Sequence, residues 1–262
     1  MSASCGYDFF YNNDAYFQKY LREFGEKYGF VGAFNGFYYR YPSPEARWAF
    51  LARSTIMEYE LPAGKPYHDL MELLQGKEYH IMTTNQDFLF THVAPEEKIS
   101  AIQGDSRYYQ CSRRCHDGLY YNKEMVYEMN EAIDADLKIP SELIPRCPKC
   151  GAELEPWVRG YTFLEGQKYR DEYQKINTFL EAHKEEKLLF LELGVGRMTP
   201  MFIQEPFWNL TYALPQAYYI SINPRDALLP TQLKEKGTAI REDIATVLHD
   251  AVEQKKAQND CE

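Results

Sequence analysis

Four of the six cysteines in this 262-residue chain fall into two pairs, Cys111-x3-Cys115 and Cys147-Pro-Lys-Cys150-Gly151, with 31 residues between them. Each pair can hold one ion, and Gly151 permits the tight turn that aims backbone amides at the sulfurs. Four thiolates favour tetrahedral zinc in a closed, structural site. A catalytic zinc needs an open coordination position, which four cysteines do not leave. His116 could substitute as a ligand but is expected beside the metal rather than on it. Cys5 and Cys261 pair with none of the four, and Met1–Gly6 has neither the basic nor the apolar region of an export signal. The cysteines therefore read as metal ligands rather than disulfides.

A second set of polar residues lies upstream. The apolar run 79–84 leads into Asn85-Gln86-Asp87, and a second run, 98–102, leads into Gln103-Gly104-Asp105. Asn and Asp past a strand can bind a ligand or merely cap the next segment of chain, and both readings stand on these residues alone. Glutamine at 103 donates and accepts hydrogen bonds but has no lone pair that titrates at a useful pH. It can orient a hydroxyl and cannot act as a general base.

The elements that must hold these residues alternate between apolar strands and helices. Helices are expected over 14–27, in two pieces over 45–75 (the second carrying Leu70, Leu73 and Leu74), and between the cysteine pairs. The run 165–186 is expected as a helix whose charges face solvent. Strands are expected at 188–193, followed by Gly194-Val195-Gly196, and at 217–222, ending at Asn223-Pro224. A final amphipathic helix is expected over 238–255, with Ile240, Ile244, Val247, Leu248 and Val252 on one face. This pattern predicts an α/β fold, a Rossmann-like parallel sheet with helices on both faces plus a small zinc-binding domain. Residues 1–104 and 186–262 would form the larger domain, and 105–165 the small one with a flanking helix over 165–186. Ligands of such sheets bind outside the carboxyl ends of the strands, so Asn85, Gly194 and Asn223 could share one cleft.

Charge and hydropathy narrow the partners. A formal net charge of −10 disfavours non-specific binding to nucleic acid or to an anionic membrane surface. No stretch approaches the roughly 18 apolar residues of a membrane-spanning helix. The expected compartment is the cytoplasm. Aromatic residues at 15%, with 22 tyrosines, suit deep clefts.

In order along nearly its whole length, the chain resembles the sirtuin family of NAD-dependent enzymes. Thr84-Asn85-Gln86-Asp87 is similar to the family's Gln-Asn-Ile-Asp loop, and Gln103-Gly104 falls where the family has His-Gly. The cysteine quartet matches the zinc module, Gly194-Val195-Gly196 the Gly-Thr-Ser loop, and Ile222-Asn223 the Ile-Asn that closes the strand over the adenosine ribose. Ser2-Ala3-Ser4-Cys5-Gly6 resembles the second half of the family's glycine-rich phosphate loop. The first strand and the loop's leading residues have no counterpart here. The expectation from that gap is that Met1 is internal to a longer chain, the alternative being a lost part of the NAD site.

Two further departures shape the functional expectation. Gln103 replaces the histidine that serves deacylases as general base. Leu154-Glu155-Pro156-Trp157-Val158-Arg159-Gly160 replaces the wall that grips an acyl-lysine peptide, and its arginine can bind a carboxylate or phosphate bidentately. These changes resemble the macrodomain-linked class M sirtuins. That resemblance implies an ADP-ribosyltransferase that releases nicotinamide from NAD and modifies a lipoylated carrier protein of the glycine-cleavage H type, with a macrodomain protein as a further partner. It implies that Asn85 and Gln103 position the nicotinamide ribose, Asp87 the carboxamide, and Arg159 the reacting end. Ser2, Ala3, Gly194, Gly196 and Asn223 would line the rest of NAD, with zinc on the four cysteines. Arg197 could contact phosphate or form a surface ion pair. The alternatives are an NAD-dependent lysine deacylase and a non-catalytic NAD or ADP-ribose sensing module.

Overall fold

The computed structural model describes residues 1–197 and 200–259, so Cys261 lies outside the described residues. The chain opens with short helices α1 (Ala15–Tyr20), α2 (Arg22–Tyr28) and α3 (Ala33–Phe37), followed by the longer α4 (Pro44–Glu60) and α5 (Lys65–Leu74). Asp14 caps α1 by accepting the Phe17 N–H at 2.8 Å. Ser43 caps α4, with Pro44 entering the first turn, where its missing N–H costs nothing. α4 is buried on several sides, and Trp48, Phe50 and Met57 lose all their surface to the main core.

Strand β1 (Ile81–Thr83) pairs in parallel with β2 (Ile99–Ala101). β3 (Gly104–Cys111) then runs antiparallel to β4 (Tyr120–Tyr121) and, across α6 (Lys123–Glu131), to β5 (Leu154–Val158). The helix α7 (Gln167–His183) leads to β6 (Leu188–Leu193), α8 (Gln204–Ala213), β7 (Ala217–Ile222), β8 (Gly237–Ile240) and α9 (Ile244–Asn259). β6, β7 and β8 form a parallel sheet in sequence order. The α/β architecture agrees with the expectation, but the parallel strands fall into two sheets. β1 and β6 each keep one edge without a strand partner, and both line a single cavity of about 1610 Å³.

Two expectations are corrected. The final helix begins at Ile244, not at 238. Residues 237–240 are the strand β8, whose Thr238 and Ile240 pair with Ile220 and Ile222. An open edge of β7 and two β-branched residues outweigh the helical spacing, and Asp243, accepting the Ala245 N–H at 2.9 Å, starts the helix. The charges of 165–186 do not all face solvent either. Glu172 is buried on α7, bridged by Lys168 at 3.1 Å and Lys175 at 2.7 Å, and it accepts the Ala101 N–H of β2 at 3.3 Å.

β6 carries a buried carboxyl of its own. Glu192 accepts hydrogen bonds from the Tyr219 and Ser221 hydroxyls and the Gln204 amide. Burial raises its pKa, and these donors only partly offset that.

Candidate active site

Turns at the carboxyl ends of β1, β2 and β6 build the cleft. After β1, the Asn85 N–H returns to Thr83 Oγ1 at 3.0 Å, which folds the loop and carries Asp87 inward. Both oxygens of Asp87 are engaged. Oδ2 accepts the Ser2 hydroxyl at 2.6 Å and the Asn85 amide at 3.3 Å, and Oδ1 accepts the Leu89 N–H at 3.3 Å. Burial pushes the Asp87 pKa up, against the pull of those donors. Ser2 also touches the Tyr67 hydroxyl at 3.0 Å, which fixes the first residues of the chain against the loop.

Gln103 stands between β2 and β3. Its backbone carbonyl accepts the Arg159 N–H at 2.8 Å and the Gln86 side-chain amide at 3.4 Å. Its own side-chain nitrogen, Nε2, is buried with no hydrogen-bond partner. Gly104, the next residue, has φ +91°, and a Cβ there would lie 2.0 Å from the Trp157 carbonyl oxygen on β5. No side-chain rotation relieves a backbone contact. Gly104→Ala is therefore expected to lower stability by about 3–5 kcal/mol, combining left-handed strain with overpacking, which a shift of the urea midpoint would register.

Arg159 follows β5, next to Gln103 through that backbone hydrogen bond. Its Nη1 donates to Glu165 Oε1 at 2.6 Å, and its guanidinium carbon lies 4.2 Å from the Phe163 ring centroid. Nε and Nη2 are buried and have no hydrogen-bond partner among the described residues. Unpaired buried donors are rare and costly in native proteins, so these three point to a ligand with acceptor groups. They fit the ribose hydroxyls and phosphates of a dinucleotide, and the cavity is large enough to hold one.

Past β6, Gly194 has φ +73° and its N–H bonds the Ile222 carbonyl at 3.0 Å, turning the chain toward the cleft. Ser2, Ala3, Asn85, Asp87 and Gln103 line the same cavity as Arg159, Gly194 and Gly196. Asn223 does not. Its side-chain amide donates to the Val195 carbonyl at 3.0 Å and its oxygen accepts the N–H groups of Arg225 and Asp226. It clamps the glycine loop from behind. Arg197 is an exposed ion pair with Asp226 at 2.5 Å.

The sequence reading missed Glu58. This α4 residue meets the cleft beside Gln103, and Ser106 on β3 donates its hydroxyl to Glu58 Oε2. The side chain keeps some surface toward the cavity, and protein packs closely around its carboxyl. Burial pushes its pKa up to about 8, with the Ser106 hydrogen bond opposing and the Asp87 and Asp105 charges reinforcing the rise. One of two Glu residues in the last turn of a helix rich in apolar residues, Glu58 carried no signal of this.

The cysteine cluster lies at the far end of β3. The four Sγ atoms all fall within 4.8 Å of one another, with Cys111–Cys150 at 3.5 Å and Cys115–Cys147 at 3.6 Å. Tetrahedral zinc with bonds of about 2.3 Å separates its sulfurs by about 3.8 Å, so the set fits one ion. Backbone N–H groups around the sulfurs outweigh desolvation and hold the Cys147 and Cys111 thiols below their usual pKa. His116 Nε2 contacts the Tyr120 hydroxyl at 2.7 Å and Cys147 Sγ at 3.6 Å, which puts it beside the ligand set. Among the described residues no helix is long and apolar enough to cross a membrane.

No protein-family model matches the chain. A protein ADP-ribosyltransferase of Staphylococcus aureus (strain Mu50 / ATCC 700699) is 34% identical over 256 residues, covering 96% of this chain and 80% of the relative. A probable bifunctional ADP-ribose hydrolase/ADP-ribosyltransferase of Fusarium oxysporum f. sp. cubense is 26% identical over 237 residues, and the match spans 39% of that longer protein. Among solved structures, a sirtuin studied for substrate affinity superposes with a TM-score of 0.57 at 16% identity, covering 97% of this chain and 89% of the other. A Sir2 homologue–NAD complex superposes with a TM-score of 0.54 at 18% identity, covering 82% of this chain and 73% of the other. With the α/β fold and this identity taken together, the chain belongs to the family of the Staphylococcus aureus protein ADP-ribosyltransferase and has the fold of the Sir2 sirtuins.

Proposed function

We propose that the acceptor of the ADP-ribosyl group is a lipoylated carrier protein of the glycine-cleavage H type, and that the reaction releases nicotinamide in the cytoplasm. A macrodomain protein is the expected companion that removes the mark. The observation that carries the transferase chemistry is Gln103, a residue that holds a hydroxyl but takes no proton, lining one cleft beside Arg159, whose buried Nε and Nη2 have no partner among the described residues. A deacylase needs a base at that point; transfer to C1′ needs orientation and charge stabilisation.

In this reading NAD is a substrate. Asn85 and Gln103 orient the nicotinamide ribose, Asp87 takes the carboxamide, and Arg159 binds an anionic group at the reacting end. Ser2, Ala3, Gly194 and Gly196 line the remainder, while Asn223 acts through the shape of the glycine loop. Residues 1–104 with 186–262 form the dinucleotide-binding domain, and 105–165 the small domain. Zinc on Cys111, Cys115, Cys147 and Cys150 supplies cross-linking and no reacting atom. Incubation with labelled NAD and a lipoylated carrier tests the proposal. Label on the carrier with matching nicotinamide release supports it, and nicotinamide release without label on any lipoylated carrier removes the carrier from it.

A further inference from the structure

Cleaving the bond between C1′ and the nicotinamide nitrogen leaves positive charge on the ribose, which a carboxylate facing the cleft would stabilise. Three carboxyl groups cluster near Gln103, and two are already committed. Asp105 is held by Arg107 through contacts of 3.1, 3.0 and 2.7 Å. Asp87 has both oxygens hydrogen-bonded to Ser2, Asn85 and Leu89. Glu58 differs. Ser106 takes Oε2, and among the described residues no hydrogen bond reaches Oε1.

A short chain of contacts fixes Glu58 relative to Gln103. The Ser106 hydroxyl lies 2.7 Å from the Gln86 carbonyl, the Ser106 N–H donates to that same carbonyl at 3.2 Å, and the Gln86 amide donates to the Gln103 carbonyl at 3.4 Å. Two rigid elements, α4 and β3, thus hold a carboxyl and a glutamine on one stretch of the cleft wall.

We infer that Glu58 is the carboxylate that stabilises the developing cation at C1′ when nicotinamide leaves. The inference rests on the transferase reading above. In the step, the C1′–N bond breaks with its electron pair going to the nicotinamide ring nitrogen, nicotinamide departs neutral, and the acceptor nucleophile forms the new bond to C1′ as its proton passes to solvent. Glu58 changes neither protonation nor bonding in that step; it must be ionised beforehand. The charged groups facing it, Asp87 beyond β1 and Asp105 on β3, are both acidic, so its ionisation is opposed and falls near neutrality. The enzyme should therefore release nicotinamide faster as pH rises, half-maximally at about pH 8 and levelling off about a unit above that.

The test is nicotinamide release from NAD, with lipoylated carrier as acceptor, across pH 6–9.5 for wild type, Glu58→Gln and Ser106→Ala. Glu58→Gln should lower kcat about 100-fold with a much smaller change in KM for NAD, because the charge matters only in the transition state. Its remaining activity should be flat with pH. Ser106→Ala keeps the carboxyl but removes the donor that favours its charged form, so the rise should move to higher pH. A folded Glu58→Gln with wild-type kcat and pH profile overturns the inference, and so does an unmoved profile in Ser106→Ala should Glu58→Gln not fold. A wild-type protein that releases no nicotinamide at any pH overturns the underlying reading and this inference with it.

Discussion

Chelating the metal, or replacing Cys147 by serine, is expected to unfold the small module and abolish transfer, although none of the four clustered cysteines lines the cleft. Cys111 closes β3, whose first residue, Gly104, adjoins Gln103. Cys147 and Cys150 precede β5, which pairs with β3 and ends beside Arg159. One ion therefore pins the two strands that present the glutamine and the arginine. Structural zinc in small domains contributes roughly 10–16 kcal/mol of apparent binding energy at neutral pH. Part of that is shared here with the packing of Trp157 on Phe163 and the hydrogen bond from Trp48 to Glu153 at 2.7 Å. We expect one zinc per chain by native mass spectrometry, and a fall in Tm of more than about 10 °C on chelation. Zinc should also be lost on acidification, since the ligands bind as thiolates. A chelated protein that keeps its Tm and its activity would remove the metal from the account.

Replacing Gln103 by alanine should separate activity from stability. The side-chain nitrogen has no partner within the protein, so its loss breaks no internal hydrogen bond. The backbone contacts that shape the turn come from the Gln103 carbonyl and survive the change. Tm should thus shift by only a degree or two. Transfer, by contrast, should fall 10²- to 10³-fold, about 2.7–4 kcal/mol, the usual cost of deleting one preorganised donor from a polar transition state. A parallel loss of stability and activity would instead make Gln103 a structural residue.

The elements legible in the sequence were those whose signal is local. Leu188–Leu193 reads as a strand because five of its six residues are apolar, and the cysteine pairs read as one site because metal spacing is a short-range rule. The strand Gly237–Ile240 was hidden because its pairing depends on β7, about twenty residues earlier. Glu58 was hidden for a similar reason. Nothing within α4 shows that its carboxyl will meet Ser106 of β3 and two acidic neighbours, and its raised pKa belongs to that meeting rather than to the helix. Asn223 was legible as a residue at a strand end, but its hydrogen bond to the glycine loop was not.

The two free strand edges along the cavity have a consequence for how the molecule opens. β7 lies between β6 and β8, so its amides are held on both sides, whereas β1 and β6 each have one flank facing the cleft. With no ladder among the described residues joining the two parallel sheets, helix packing and side chains must couple them. Amide hydrogen exchange should accordingly resolve two protection classes, the β6–β7–β8 sheet with β7 slowest, and the shorter β1–β2 pair with the Asn85 loop opening earlier. NAD, bridging both, should slow the faster class toward the slower one.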